Sequence, residues 1–69
     1  MVIYMKPQQL TVKADTGEQL IKCIEKSNEF QFSSMIVDSM NKTLMVAAIP
    51  YILYRYLYEL SCDFYIELL

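Results

Sequence analysis

Three residues punctuate this chain: Pro7, Gly17 and Pro50 are its only prolines and its only glycine. These are the strongest breakers of regular structure, so 69 residues with three of them leave little room for long loops. The chain must fold as closely spaced helices and strands. Its length allows one domain, 1–69, and a domain this short buries only about 60% of the surface its unfolded form exposes. Disulfides, a metal or oligomerisation usually make up that deficit. Apolar residues form 55% of the sequence, high for so small a domain, so some of them are expected on the outside. An apolar patch left outside marks an interface.

Between the breakers the hydrophobic period changes several times. In 9–14, "QLTVKA", Leu10, Val12 and Ala14 alternate with Gln9, Thr11 and Lys13, the pattern of a half-buried strand. Residues 2–5 either extend this strand or pair beside it. The next segment, 15–29, is the clearest helix: Leu20, Ile21, Cys23, Ile24 and Ser27 share one arc at 100° per residue. Thr16 with Gln19, or Asp15 with Glu18, fits a capping box, in which side chains satisfy the free amides of the first turn. Segments 30–40 and 43–49 read as two strands around Asn41-Lys42, with Asn41 suited to left-handed backbone in a tight turn. In "MIV" and "LMVAAI" adjacent residues are both apolar, which suits strands covered on both sides. Pro50 then opens a second helix, where its missing amide is no loss, and 63–69 closes the chain as a strand with Phe64, Ile66 and Leu68 on one side.

The element order is strand, helix, strand, strand, helix, strand. That predicts an α+β domain, a small ferredoxin-like βαββαβ sandwich with an antiparallel sheet and two helices on one face. Right-handed crossovers place the first and third strands at the centre. The competing reading makes 51–58 a strand, because Tyr54, Tyr56 and Tyr58 also alternate. Pro50 and the i,i+4 pair Arg55 and Glu59 favour the helix.

A helical 51–62 puts Leu53, Tyr56, Leu57 and Leu60 on the core arc, with Tyr56 at its border. Tyr51, Tyr54, Arg55 and Tyr58 fall on the opposite side as a continuous strip, with Cys62 beside them. Tyrosine and arginine together resemble the composition of interface hot spots, since both offer large contact area. The competing use is as a cover for the first helix, with hydroxyls in water. The uncovered face of the sheet is a second candidate. One register exposes Met35 and Val37 with their partners; the other exposes Ile36 with Leu44, Val46 and Ala48. Back-to-back packing over Met35, Val37, Leu44 and Val46 predicts a homodimer.

Other chemistry is sparse. The chain has no histidine, which removes the commonest general base and the Ser-His and Cys-His pairs. Asp15-Thr16-Gly17 resembles the triplet of aspartic protease active sites over three residues, but its place at a strand-to-helix junction suits a cap. Ser33-Ser34 has no visible base, and Asp38 and Glu67 are the carboxylates that a folded sheet can bring together. Two cysteines without histidine cannot complete a closed zinc site, so Cys23 and Cys62 are expected as reduced thiols and no metal or cofactor is expected. A net charge of −2 lacks the basic footprint of nucleic-acid binding, and the third strand lacks the aromatics that an RNA-recognition motif of the same topology carries. The longest apolar run, 44–54, contains Pro50 and is about half the roughly 20 residues a membrane span needs. Nothing in 1–10 has the regions of a signal peptide, so the expected location is the cytoplasm.

The expected function is therefore non-enzymatic: a protein-interaction module that regulates or inhibits a larger partner through Tyr51, Tyr54, Arg55 and Tyr58. The alternative is a dimeric regulatory domain that holds a small metabolite or nucleotide at the subunit junction, with tyrosines stacked on a base and Arg55 on an anionic group.

Overall fold

The computed structural model describes residues 6–63 and 65–69. Residues 2–5 and Phe64, both assigned to strands from the sequence, lie outside the described residues. Among the described residues six elements follow one another: β1 Gln8–Lys13, α1 Gly17–Ser27, β2 Ser34–Asp38, β3 Thr43–Ala48, α2 Pro50–Asp63 and β4 Glu67–Leu68. The domain is α+β, with one four-stranded antiparallel sheet in the order β2-β3-β1-β4 and two helices.

Local chemistry sets the helix starts. Thr16 is the N-cap of α1: its hydroxyl accepts from the Gln19 amide at 3.1 Å, while the Gln19 carboxamide accepts from the Asp15 amide at 2.8 Å. One first-turn amide and the Asp15 amide just before the cap are thereby satisfied, and Gly17 serves only as the residue after the cap. Pro50 opens α2, and the Ile49 carbonyl accepts from the amides of Ile52 and Leu53 at 3.0 and 3.2 Å. Proline costs nothing there because that amide would have no helical partner. The helix runs to Asp63, so the last strand is only Glu67–Leu68.

The segment 30–40 is a strand only in its second half. After α1 ends, the amides of Asn28, Glu29 and Phe30 fold back onto its last carbonyls. Phe30 and Phe32 then pack edge-on against Tyr56, with ring centroids 5.6 and 5.0 Å away. Their alternation is satisfied by the core instead of by pairing.

Register decides which face is which. Met35 pairs with Val46 and Val37 with Leu44, while Leu10 and Val12 lie across β3 from the same two residues. All six side chains therefore point to one side, and that side carries the helices. Leu44 and Val46 are fully buried at 0% exposure, in a core with Val12, Leu20, Cys23, Leu53, Tyr56 and Leu60. Each such aliphatic side chain contributes roughly 1.5–3 kcal/mol. The expected dimer face of Met35, Val37, Leu44 and Val46 is thus corrected: Leu44 and Val46 lie beneath the helices and cannot meet a second copy. Met35 and Val37 remain exposed because β2 is the outer strand, beyond most of the helix cover. The opposite face carries Ile36, Met45 and Ala47 among Gln9, Thr11, Lys13, Ser34, Asp38 and Thr43, so the alternative set of Ile36 with Leu44, Val46 and Ala48 does not form either. That face is mostly polar.

Two smaller expectations also change. Ile21 is exposed, leaving Leu20, Cys23 and Ser27 as the buried residues of α1. Tyr56 sits at the centre of the core and not at its border. Its phenol reaches a carbonyl in α1, which removes the penalty for burying the hydroxyl.

Candidate functional site

The outer side of α2 holds the sequence-derived strip. Tyr51, Tyr54 and Tyr58 are all well exposed, the last two at 68% and 61%. Helical geometry then divides the strip. Tyr54 and Tyr58 turn toward β4 and, with Leu57, Ser61, Ile66 and Leu68, line a shallow apolar groove of about 370 Å³. Leu57, expected in the core, is only half-buried and belongs to this groove.

Arg55 turns the other way. Its guanidinium lies 5.7 Å from the centre of the Phe30 ring and pairs with Glu59 Oε2 at 3.3 Å. Glu59 Oε1 in turn meets Lys26 Nζ at 3.5 Å, and Lys26 also meets Glu29 at 3.7 Å. A chain of charges therefore crosses from α2 to α1 over the aromatic cluster. Solvent screens pairs of this kind, so they add little to stability. Their effect here is positional: Arg55 is held on the flank away from the groove. Tyr51 does not line the groove either.

Sequence periodicity placed the tyrosines outside, but it missed the groove. Ile66 and Leu68 complete it from the far end of the chain, and only the antiparallel pairing of β4 with β1, Val12 to Leu68 and Lys13 to Glu67, brings them there. The main-chain amide of Leu69 extends that pairing by donating to Thr11 at 3.1 Å.

The remaining candidate residues lie apart. Asp38 and Glu67 sit at opposite edges of the sheet, separated by β3 and β1, which is about 14 Å at ordinary strand spacing. Asp38 instead caps the hairpin turn: one carboxylate oxygen accepts from the amides of Met40 and Asn41, the other from the Asn41 side chain at 2.8 Å. The Asn41 contacts hold its carboxyl below the ordinary aspartate range. Ser33 donates to the Ala47 carbonyl through both its amide and its hydroxyl. Cys23 is buried and Cys62 exposed, both free. Burial raises the Cys23 thiol above its ordinary pKa. Among the described residues no three of the Cys, Asp and Glu side chains gather as a metal site, and no helix is long and apolar enough to cross a membrane.

No protein-family model, curated protein or solved structure matches this chain.

Proposed function

We propose that this chain is a small ferredoxin-like protein-interaction module, a regulator or inhibitor that binds a larger protein through the outer side of α2. The order of elements and strands supports the ferredoxin-like build. One observation carries the functional reading: two exposed tyrosines, Tyr54 and Tyr58, border an apolar groove floored by Leu57, Ile66 and Leu68. Scattered exposed aromatics need no explanation, but a bordered apolar groove does. Tyrosine offers rigid contact area with a hydroxyl at the tip, and interfaces use it for that reason. The matching partner surface presents an apolar side chain for the groove and polar groups for the two hydroxyls. Arg55, the sole base of α2, stands on the other flank over Phe30. An anionic metabolite seated between the tyrosines therefore has no cation of α2 to meet it, which favours the protein partner.

Site-specific photo-crosslinking in the native cell tests this. A crosslinking side chain at Tyr54 or Tyr58 is expected to trap one larger protein, while the same group at Lys22 on α1 traps none. Tyr54→Ala is expected to abolish the adduct formed from position 58 with the fold intact, since exposed changes usually alter stability by within about 0.5 kcal/mol. Equal trapping at Lys22, or no protein adduct from either tyrosine, would sink the reading. Native mass spectrometry that finds a retained small molecule, lost in Tyr54→Ala, would replace it with the metabolite reading.

A further inference from the structure

The two edges of the sheet are built differently. β4 is two residues long and carries Glu67. β2 is five residues long, and every one of them is exposed, including Met35, Ile36 and Val37. An exposed strand edge presents unpaired amides and carbonyls, and proteins usually blunt it with lysine, proline, a bulge or a short strand. β2 has none of these. Its interior carries no charge and no proline, and its pairing with β3 runs without a break from Ser34–Ala47 to Asp38–Thr43, so no bulge falls within it; Ser33, just before it, also donates its amide to the Ala47 carbonyl.

We propose that this edge is a self-association site, where a second copy of the chain adds its own β2 antiparallel, centred on Ile36. The backbone groups ask for a strand, and the side chains say which. With Ile36 opposite Ile36 of the partner subunit, Met35 falls opposite Val37 of the partner subunit, and Ser34 opposite Asp38 of the partner subunit. On the polar side of the sheet, the row from Met45 to Ile36 continues into its own image. On the helix side, Val46 and Met35 continue into the partner's Val37 and Leu44, and the converse row matches it. Every row through the middle of the seam is apolar on both sides. The two Asp38 carboxylates end up about 13 Å apart, four residues along the strand, so like charges do not face each other. Moving the centre by one residue, to Met35 or Val37, sets Ile36 against Ser34 or Asp38 of the partner subunit, and moving it by two, to Ser34 or Asp38, sets Ile36 beyond the end of the partner's strand.

The pairing closes on itself. One two-fold axis covers both β2 edges and, among the described residues, leaves only the two-residue β4 strands at the outer edges of the sheet, so the contact makes a dimer and not a fibre. It also supplies oligomerisation, one of the means by which small domains gain stability. It is independent of the α2 groove, which lies at the other end of the sheet order.

The test is the mass of the full chain in solution. The wild type is expected at twice the 8.1 kDa chain mass, with an unfolding midpoint that rises with protein concentration. Ile36→Lys, at a position 60% exposed, is expected to lose the dimer and keep the circular dichroism of the fold. Ile36→Cys in a Cys62→Ser background is expected to form a disulfide with its own image under mild oxidation. Met40→Cys in the same background, 92% exposed but outside the strand, is expected to stay monomeric on a non-reducing gel. Tyr54→Ala is expected to remain dimeric. A wild type of 8.1 kDa at its highest soluble concentration overturns the proposal, as does a dimer that Ile36→Cys fails to link. A wild-type monomer that instead accepts an added β-strand peptide along β2 would assign the edge to another protein. The cysteine pair decides the matter even if Ile36→Lys unfolds.

Discussion

The hydroxyl of Tyr56 donates a 2.8 Å hydrogen bond to the main-chain carbonyl of Cys23, tying the middle of α2 to the middle of α1. Neither residue has any exposed surface. The same ring receives Phe30 and Phe32 edge-on, so one side chain joins both helices and the segment that leads into β2. Tyr56→Phe keeps the ring and removes the hydrogen bond, and is expected to lower stability by about 1 kcal/mol. Tyr56→Ala also removes the aromatic packing, at about 3–5 kcal/mol, comparable to the whole stability of a domain this size. Urea denaturation followed by circular dichroism measures both.

Alkaline pH acts on the same residue. Burial, with the Cys23 thiol adding to it, pushes the Tyr56 phenol well above its ordinary pKa of 10.0. The folded state therefore keeps a proton that the unfolded chain releases. This contribution to stability is complete below pH 10 and declines as pH rises beyond it, by at most about 1.4 kcal/mol per pH unit for one proton. Denaturation midpoints measured between neutral and strongly alkaline pH should fall less steeply in Tyr56→Phe than in the wild type. Parallel curves would mean that the phenol is not protected.

The thiols should separate by position. Cys23 is buried with a raised pKa, and Cys62 lies on the exposed side of α2. Thiolate is the reactive form, so an alkylating reagent is expected to modify Cys62 quickly and Cys23 only after unfolding. Mass spectrometry with and without denaturant counts one adduct and then two. Two rapid adducts under native conditions would show that α1 opens readily.

The hairpin turn is held by Asp38 and strained at Lys42. Lys42 has φ 55°, a left-handed conformation that only glycine adopts freely. Lys42→Gly is expected to stabilise the chain by about 0.5–1 kcal/mol, since relief of that strain exceeds the entropy glycine adds to the unfolded state. Hydrogen bonds from Asn41 favour the ionised Asp38 carboxyl in the folded chain, so its contribution is present above the ordinary value of 3.8 and is lost as pH falls through the lower folded value. Asp38→Ala is expected to remove this acid dependence and to speed amide exchange at Met40 and Asn41. Unchanged exchange there would show that the carboxylate does not hold the turn.

Whatever neighbours along the chain decide was legible in the order of residues. Thr16 and Gln19 started α1, Pro50 started α2, the alternation of Leu10, Val12 and Ala14 made β1 half-buried, and helical spacing put Tyr51, Tyr54 and Tyr58 outside. Each signal acts within one turn of helix or across alternate strand residues, so the order of residues suffices to read it. Tertiary structure alone decided the rest. Strand side chains repeat every two residues, so a one-residue change of register exchanges the faces. Only the pairing of Met35 with Val46 put Leu44 and Val46 under the helices, and only the closing β4 strand brought Ile66 and Leu68 beside Tyr54 and Tyr58. The apolar run in β2 reads the same in a covered strand and an edge strand, because local sequence does not record what lies on its far side. Arg55 was likewise free to join either flank of α2 until Phe30, folded back from α1, offered its ring and Glu59 its carboxylate.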